Sequence, residues 1–307
     1  MLGIKHLRHI SLFTPNFAAQ KAFYSNVWNL EIVYEDQNEA YFRGRSKENH
    51  ILHFIRSEQR GLHHIAFAME DKNAVDRAYE KLVAQGIRVI QEPGNLDEFG
   101  GGYGLRFLDP ENRCIELSAW VENHTSEWKS REVNPVRLNH VVVNTTDIDQ
   151  LVDFYTQKLG FKVSDWSEHK MAFLRCNQKH HSIAFHQSTH PAMHHIAYEV
   201  ENVDQLMRGI SYVRQQGYEP AWGPGRHGPG NNIFCYFQDP GGFVMEYTCY
   251  LEIIEDESKR EARVWKRVPH MMDRWMTAGP APKEVRKAMA GTPDYGWVDM
   301  NEIVGKK

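Results

Sequence analysis

Four βαβββ modules in two tandem pairs, an α+β fold, are what this 307-residue chain predicts. Three observations lead there. A histidine pair entering an apolar run occurs twice, as GLHHIAFAM at 61–69 and AMHHIAYEV at 192–200. His64 and His195 lie 131 residues apart, and shifting the whole chain by that distance sets LRHISLFTPNFAAQKAFYSNVWNLEIV (7–33) on LNHVVVNTTDIDQLVDFYTQKLGFKV (138–163). The shift also sets Phe23-Tyr24 on Phe154-Tyr155 and Gly86 on Gly217, and after one deletion FLDPENRCIEL (107–117) falls on FQDPGGFVMEY (237–247). A period of this length marks a duplicated unit. Third, each half divides again into an opening strand, a helix and then short strands separated by turn residues.

Taken in order, the third quarter opens with LNHVVVN, a β-branched strand, followed by DIDQLVDFYTQKL with apolar residues near helical spacing. Gly160 follows as the C-cap, and FKVSDW, MAFLRC and HSIAFH read as three strands. The fourth quarter repeats this: HHIAYEV, a helix from about Val203 to Gln216 ending at Gly217, then YEPAW, NIFCYFQDP and FVMEYTCY. Paired modules of this kind close their sheets around a shared cleft, the usual place for a ligand. The expected organisation is an N-terminal domain over 1–120, a polar linker over 121–136 (VENHTSEWKSREVNPV), a C-terminal domain over 137–250 and a charged covering segment over 251–307.

Composition excludes several classes. The formal charge is −4, with 41% hydrophobic and 25% charged residues, so no basic field for nucleic acid exists. Cys114, Cys176, Cys235 and Cys249 are far apart and lack CxxC spacing, which argues for reduced, mostly buried thiols. There is no run of 18 apolar residues and no signal-like start, so a cytoplasmic protein without a membrane partner is expected.

Three strands of the second half bring chemistry-bearing residues: His140, His195 and Glu246, the last a carboxylate within the apolar FVMEYTCY. A buried glutamate is costly unless paired or metal-bound. Two neutral imidazoles and one carboxylate form the facial triad of non-haem Fe(II). Taken singly, each histidine is more readily a satisfied polar residue of a sheet; together, at repeat-defined positions, the three favour a metal. Alternation along a strand implies that only one of His194 and His195 faces the cleft.

On these residues the chain resembles the two-domain type I extradiol ring-cleavage dioxygenases of the vicinal oxygen chelate superfamily, of the catechol 2,3-dioxygenase and 2,3-dihydroxybiphenyl 1,2-dioxygenase kind. HGPGNNIFCYFQDPGGFVMEYTCY is similar to that family's C-terminal signature, with a His, a Tyr nine residues on, Asp-Pro, and then the Glu. The resemblance implies a glyoxalase/bleomycin-resistance-like fold and His140, His195 and Glu246 as metal ligands. It implies His181, 14 residues before the second ligand, as acid/base residue, with His227 and Tyr236 beside it and Val142 and Phe173 lining the ring pocket. The implied reaction opens a substituted catechol next to its diol with O2 as co-substrate, giving a muconic semialdehyde type of product. Fe(II), or Mn(II) in its place, is the implied metal; no organic cofactor is called for, and the family commonly forms homo-oligomers. An imidazole with an ordinary pKa of about 6.5 suits the proton transfer asked of His181.

The first half keeps His9, His64 and Glu116 in the ligand places, and His50 falls 14 before His64. The shift places Asp97 where His227 stands and Arg106 where Tyr236 stands, and a cation aimed at a divalent ion opposes it. The set reads as a relic held by His–Glu hydrogen bonds. For the substrate, Trp222 and Tyr218 are candidates for an aromatic wall. No arginine pair for a carboxylate is evident, although Arg226, Arg263, Arg267 and Arg274 leave that open. A glyoxalase-like isomerase using a redox-silent metal, or a ligand-binding module without catalysis, are the other readings.

Overall fold

A computed structural model describes residues 2–294 and 296; Met1, 295 and 297–307, including the end of the expected covering segment, lie outside the described residues. The first module is β1 (His6–Thr14), α1 (Phe17–Asn26), β2 (Glu31–Glu35), β3 (Glu39–Arg43) and β4 (Leu52–Arg56). The second is β5 (Gly61–Ala68), α2 (Lys72–Ala84), β6 (Val89–Asn95), β7 (Tyr103–Leu108) and β8 (Cys114–Ala119). The third is β9 (Arg137–Thr145), α3 (Ile148–Asp153), β10 (Lys162–Ser167), β11 (Met171–Arg175) and β12 (Ile183–Gln187). The fourth is β13 (Ala192–Glu199), α4 (Val203–Gln215), β14 (Trp222–Arg226), β15 (Ile233–Gln238) and β16 (Val244–Cys249). The tail adds β17 (Arg263–Trp265), α5 (Pro269–Met272) and α6 (Lys283–Ala290).

Local chemistry sets the helix ends. Asp71 and Asn202, at matching places in the duplication, cap α2 and α4 by accepting the N–H of Ala74 and Gln205. Asp147 caps α3 in the same way, whereas its counterpart Asn16 makes no such bond at α1. The helix expected up to Gly160 is present, but beyond Asp153 its last turns widen to π geometry over Phe154–Leu159 before Gly160 ends it at φ 89°. The strand expected over 218–222 starts only at Trp222. Pro220 has no N–H to give a ladder, and bonding to β15 begins only with the Ala221 N–H, which donates to the Tyr236 carbonyl at 2.8 Å.

Two mixed sheets result, in the order β2-β3-β4-β1-β5-β8-β7-β6 and β14-β15-β16-β13-β9-β12-β11-β10-β17. The middle of each is an antiparallel pair, β1 with β5 and β9 with β13, flanked by the parallel partners β8 and β16. The two halves share one apolar core. Trp28 stacks on Tyr247 at 3.7 Å between ring centroids, and the Tyr247 hydroxyl donates to the Trp28 carbonyl at 2.9 Å. Fully burying side chains of this size contributes about 1.5–3 kcal/mol each. The tail closes over the second sheet: β17 pairs with β10, and Asn144 Nδ2 donates to the carbonyls of Met289 and Ala290 at the end of α6. Of the cysteines, Cys114, Cys235 and Cys249 are buried and Cys176 half-buried, all as free thiols. Among the described residues no helix is long and apolar enough to cross a membrane.

Candidate metal centre and cavity

Strand register brings the three donors together. Ala197 of β13 stands opposite His140 on one side and Glu246 on the other, so β9 and β16 deliver their side chains to either flank of β13. His195 shares the face of Ala197 by ordinary alternation, its register with β9 unbroken over His195–Ala197, and a bulge breaks the register just before it, between Met193 and His195. That bulge also corrects the alternation argument: His194 and His195 both line the cavity. His140 Nε2, His195 Nε2 and Glu246 Oε2 form a nearly equilateral triangle with sides of 3.4 Å.

All three donors are buried, and Glu246 Oε2 has no hydrogen-bond partner. Its other oxygen accepts from Asn232 Nδ2 at 3.1 Å, while His140 Nδ1 is held by Asn139 Oδ1 at 2.8 Å and His195 Nδ1 by His194 Nδ1 at 2.7 Å. These bonds fix each ring with Nε2 inward. Burial alone raises a carboxyl, but the two imidazoles hold Glu246 well below the usual carboxylate range. Burial lowers His195, against the opposing pull of Glu246. Glu246 is thus held as the carboxylate and His195 as the neutral imidazole, forms that coordinate a divalent ion.

His181 lies beside this triangle, its ring 4.2 Å from that of His140, and it is buried. Its neighbour is part of the site too, a feature the sequence reading missed. His180 Nε2 bonds Asp165 Oδ2 at 3.0 Å, and His180 Nδ1 meets His181 Nδ1 at 2.9 Å. Burial works against ionisation of Asp165, but bonds from His180, the Arg263 N–H and Trp265 keep its carboxyl below its ordinary value. An ionised Asp165 makes His180 Nε2 the donor, so His180 Nδ1 accepts from His181 Nδ1–H. The lone pair of His181 is then on Nε2. Burial first, and His140 next, push His181 well below the ordinary histidine value.

His227 and Tyr236 form a bonded pair, Nε2 to hydroxyl at 2.9 Å. His227 Nδ1 faces the Met272 carbonyl at 3.2 Å, which obliges it to carry the N–H and leaves Nε2 to accept from Tyr236. In this pair the Tyr236 hydroxyl is the proton donor and the His227 imidazole the acceptor. Burial raises the Tyr236 phenol well above its ordinary value. Trp222 stacks on Tyr236 at 5.2 Å.

His140, His195, His181, His227 and Tyr236 line a cavity of about 420 Å3, and Val142 and Phe173 stand in its wall. Trp222 is there as well, but Tyr218 is not: it packs edge-on against Phe23 in the core between the halves. Of the arginines left open, only Arg267 reaches the cavity, joined by Arg286 of α6, which the sequence reading did not single out. Arg226 lies over Trp275, Arg274 bonds Asn231, and Arg263 gives its backbone N–H to Asp165.

The first half has a different cluster on the same strands. His9 Nε2 and His64 Nε2 lie 2.8 Å apart, bonded to each other. Arg106 stands opposite Glu116 as Tyr236 stands opposite Glu246, and its Nε and Nη2 donate to Glu116 Oε2 at 3.0 and 2.8 Å. The expected His–Glu bonding is therefore replaced by His–His and Arg–Glu pairs; His64 Nε2 stays 3.7 Å from Glu116. Asp97 is exposed and takes no part. The register places Leu96 where His227 stands, each N–H closing the next turn, because the one-residue deletion falls in the following loop. Glu98 instead turns inward to bond Arg106 and to lie 3.5 Å from both histidines.

A family profile described as Glyoxalase/Bleomycin resistance protein/Dioxygenase superfamily matches residues 6–117 and again 137–247. The chain is 27% identical over 222 residues to metapyrocatechase 2 of Cupriavidus necator, covering 66% of this chain and 68% of that one. It is 27% identical over 256 residues to the manganese-dependent 2,3-dihydroxybiphenyl 1,2-dioxygenase of Geobacillus genomosp. 3, covering 76% and 81%. Among solved structures, the Mn(II)-bound glyoxalase from Novosphingobium aromaticivorans matches with a TM-score of 0.86 at 38% identity, over 92% of this chain and 93% of that one. With both duplicates matched, the chain belongs to the glyoxalase/bleomycin resistance protein/dioxygenase superfamily, alongside relatives named metapyrocatechase and dihydroxybiphenyl dioxygenase.

Proposed function

We propose that the protein is an extradiol dioxygenase that opens the ring of a substituted catechol with O2, using one divalent metal held by His140, His195 and Glu246. The observation that carries the reading is the triangle of donors at the base of the cavity. Three donors about 2.1 Å from one ion, at angles between octahedral and tetrahedral, stand about 3.0–3.4 Å from each other. The 3.4 Å sides fit that, and the unpartnered Glu246 Oε2 is the atom such an ion satisfies. Three protein donors on one face leave the other positions open. Fe(II) and Mn(II) both accept this set, and one relative is named for manganese dependence.

Bound there, the metal supplies a common meeting point for the diol oxygens and O2, with a path for electron density between them. The chain's own residues do the rest. His181 takes a substrate hydroxyl proton at Nε2, and the positive charge it gains is stabilised through His180 by Asp165. Tyr236, held by His227, keeps a proton available for the oxygen atom split off as the O–O bond breaks, an atom that then enters the ring-opened product, so that both oxygens of O2 are retained. Val142 and Phe173 confine the ring beside these groups, and the tail screens it from water.

The test is anaerobic loading with Fe(II) or Mn(II), then a catechol and O2: a yellow ring-opened product with matching oxygen uptake is expected. A glyoxalase-like isomerase is the second reading, favoured by the name of the 38%-identical structure. Conversion of a hemithioacetal without O2, and none of catechol, would replace the first reading with that one.

A further inference from the structure

Away from the donor triangle the cavity wall changes character. No aspartate or glutamate lines it, yet two arginines do, Arg267 just beyond β17 and Arg286 on α6. The Arg267 guanidinium donates to Ser167 Oγ at 3.3 Å, while the nearby Glu168 carboxylate accepts the backbone N–H of residue 267 at 3.0 Å. Among the described residues neither guanidinium forms an ion pair with a carboxylate. Both arginines are exposed, and unpaired arginines on an open surface are ordinary. These two share one concavity, and rigid elements deliver them there. Val285 and Met289 are the buried residues that seat α6, with Met289 beside Arg286 in the cavity wall, Asn144 ties its last turn to β9, and β17 is laddered onto β10.

His186, whose Nδ1 is held by Asn144 Oδ1 at 2.9 Å, is pushed down to about 4, first by burial and then by Arg267, with Lys170 adding to the effect. The volume of about 420 Å3 also falls in the range of about 300–1,000 Å3 that takes a ligand with a side chain as well as a ring. Planar, fixed-charge guanidinium groups bind carboxylates through two parallel N–H donations.

Building on the ring-cleavage reading, we infer that the substrate is a catechol bearing a carboxylate side chain, and that Arg267 and Arg286 bind that carboxylate. The diol end is then oriented by the metal donors and the acid end by the tail.

The test compares a dihydroxyphenylalkanoate with its neutral primary amide on the metal-loaded enzyme. The acid is expected to have the higher kcat/KM by about tenfold or more, carried mainly by KM, as for a charge-assisted pair. In Arg267→Gln and in Arg286→Gln that ratio shrinks. A second arm does not depend on ring cleavage: a phenylalkanoate with no hydroxyls, titrated calorimetrically into metal-free wild-type protein, binds, and binds more weakly in each variant. Equal use of acid and amide, or a preference that survives in the double variant, overturns the inference. Should neither catechol be cleaved, the ring-cleavage reading falls, and the calorimetric arm alone decides whether the arginines recognise a carboxylate.

Discussion

The two halves carry the same three donor types on corresponding strands, yet the donors stand differently. In the second half His140, His195 and Glu246 are 3.4 Å apart with a carboxylate oxygen unpaired; in the first, His9 and His64 close to 2.8 Å and Glu116 is gripped by Arg106. One neighbour makes the difference. A guanidinium in the place of a phenol neutralises the carboxylate from within, so the first cluster has its cation already and the second needs one. A ligand set in a sequence is thus only half of a metal site; the residue opposite the carboxylate decides whether its lone pairs are free.

The largest effect expected from breaking this asymmetry is at Glu246. Glu246→Ala should lose bound metal and ring-cleaving turnover together, whereas Glu116→Ala should leave metal content unchanged. Its cost is stability, about 3–5 kcal/mol by urea unfolding, since Arg106 loses a buried partner. Next comes His181→Ala, expected to keep the metal by elemental analysis while turnover falls about 10²–10⁴-fold. Asp165→Asn should lower turnover less and move the acid limb of the kcat/KM profile; a profile identical to wild type would remove the His180–Asp165 link from the account. The asymmetry is sharpened by Arg106→Tyr, which gives the first half the arrangement of the second. Metal content should then rise from one toward two equivalents per chain, and no rise would mean that Arg106 is not what keeps the ion out.

The smallest effect concerns Glu98, which burial raises from its ordinary 4.5 to about 8, with the neighbouring Glu116 adding to the shift and Arg106 opposing it. A carboxyl raised on folding holds its proton in the folded state and loses it in the unfolded one, so its contribution to stability falls as pH rises from 4.5 to about 8. Glu98→Gln removes that loss. Its gain over wild type, read from unfolding midpoints, should grow across this window. The buried histidines act in the opposite sense: His9, His64 and His181 are lowered by burial, so their contribution is present above the unfolded value of 6.5 and fades as pH falls below it.

The duplication made most of the architecture readable, because a repeat of strand, helix and strands is a pattern along the chain. The donor triangle was readable for the same reason: His140, His195 and Glu246 sit on strands whose pairing the repeat dictates. What escaped depends on space. The bulge that admits His194 beside His195 leaves no mark in an alternating apolar run. His180 was not singled out because its partner, Asp165, lies on β10, 15 residues away. Asp97 was placed one residue late because the position of a deletion inside a loop cannot be read from the repeat. Arg286 lies in the tail, which has no repeat partner, and only folding carries it over the cavity.

The most direct test is anomalous diffraction from crystals of the metal-loaded protein. A single ion within bonding distance of His140, His195 and Glu246, and none between His9, His64 and Glu98, is the expected result. An ion in the first cluster, or a second cluster without one, would contradict it.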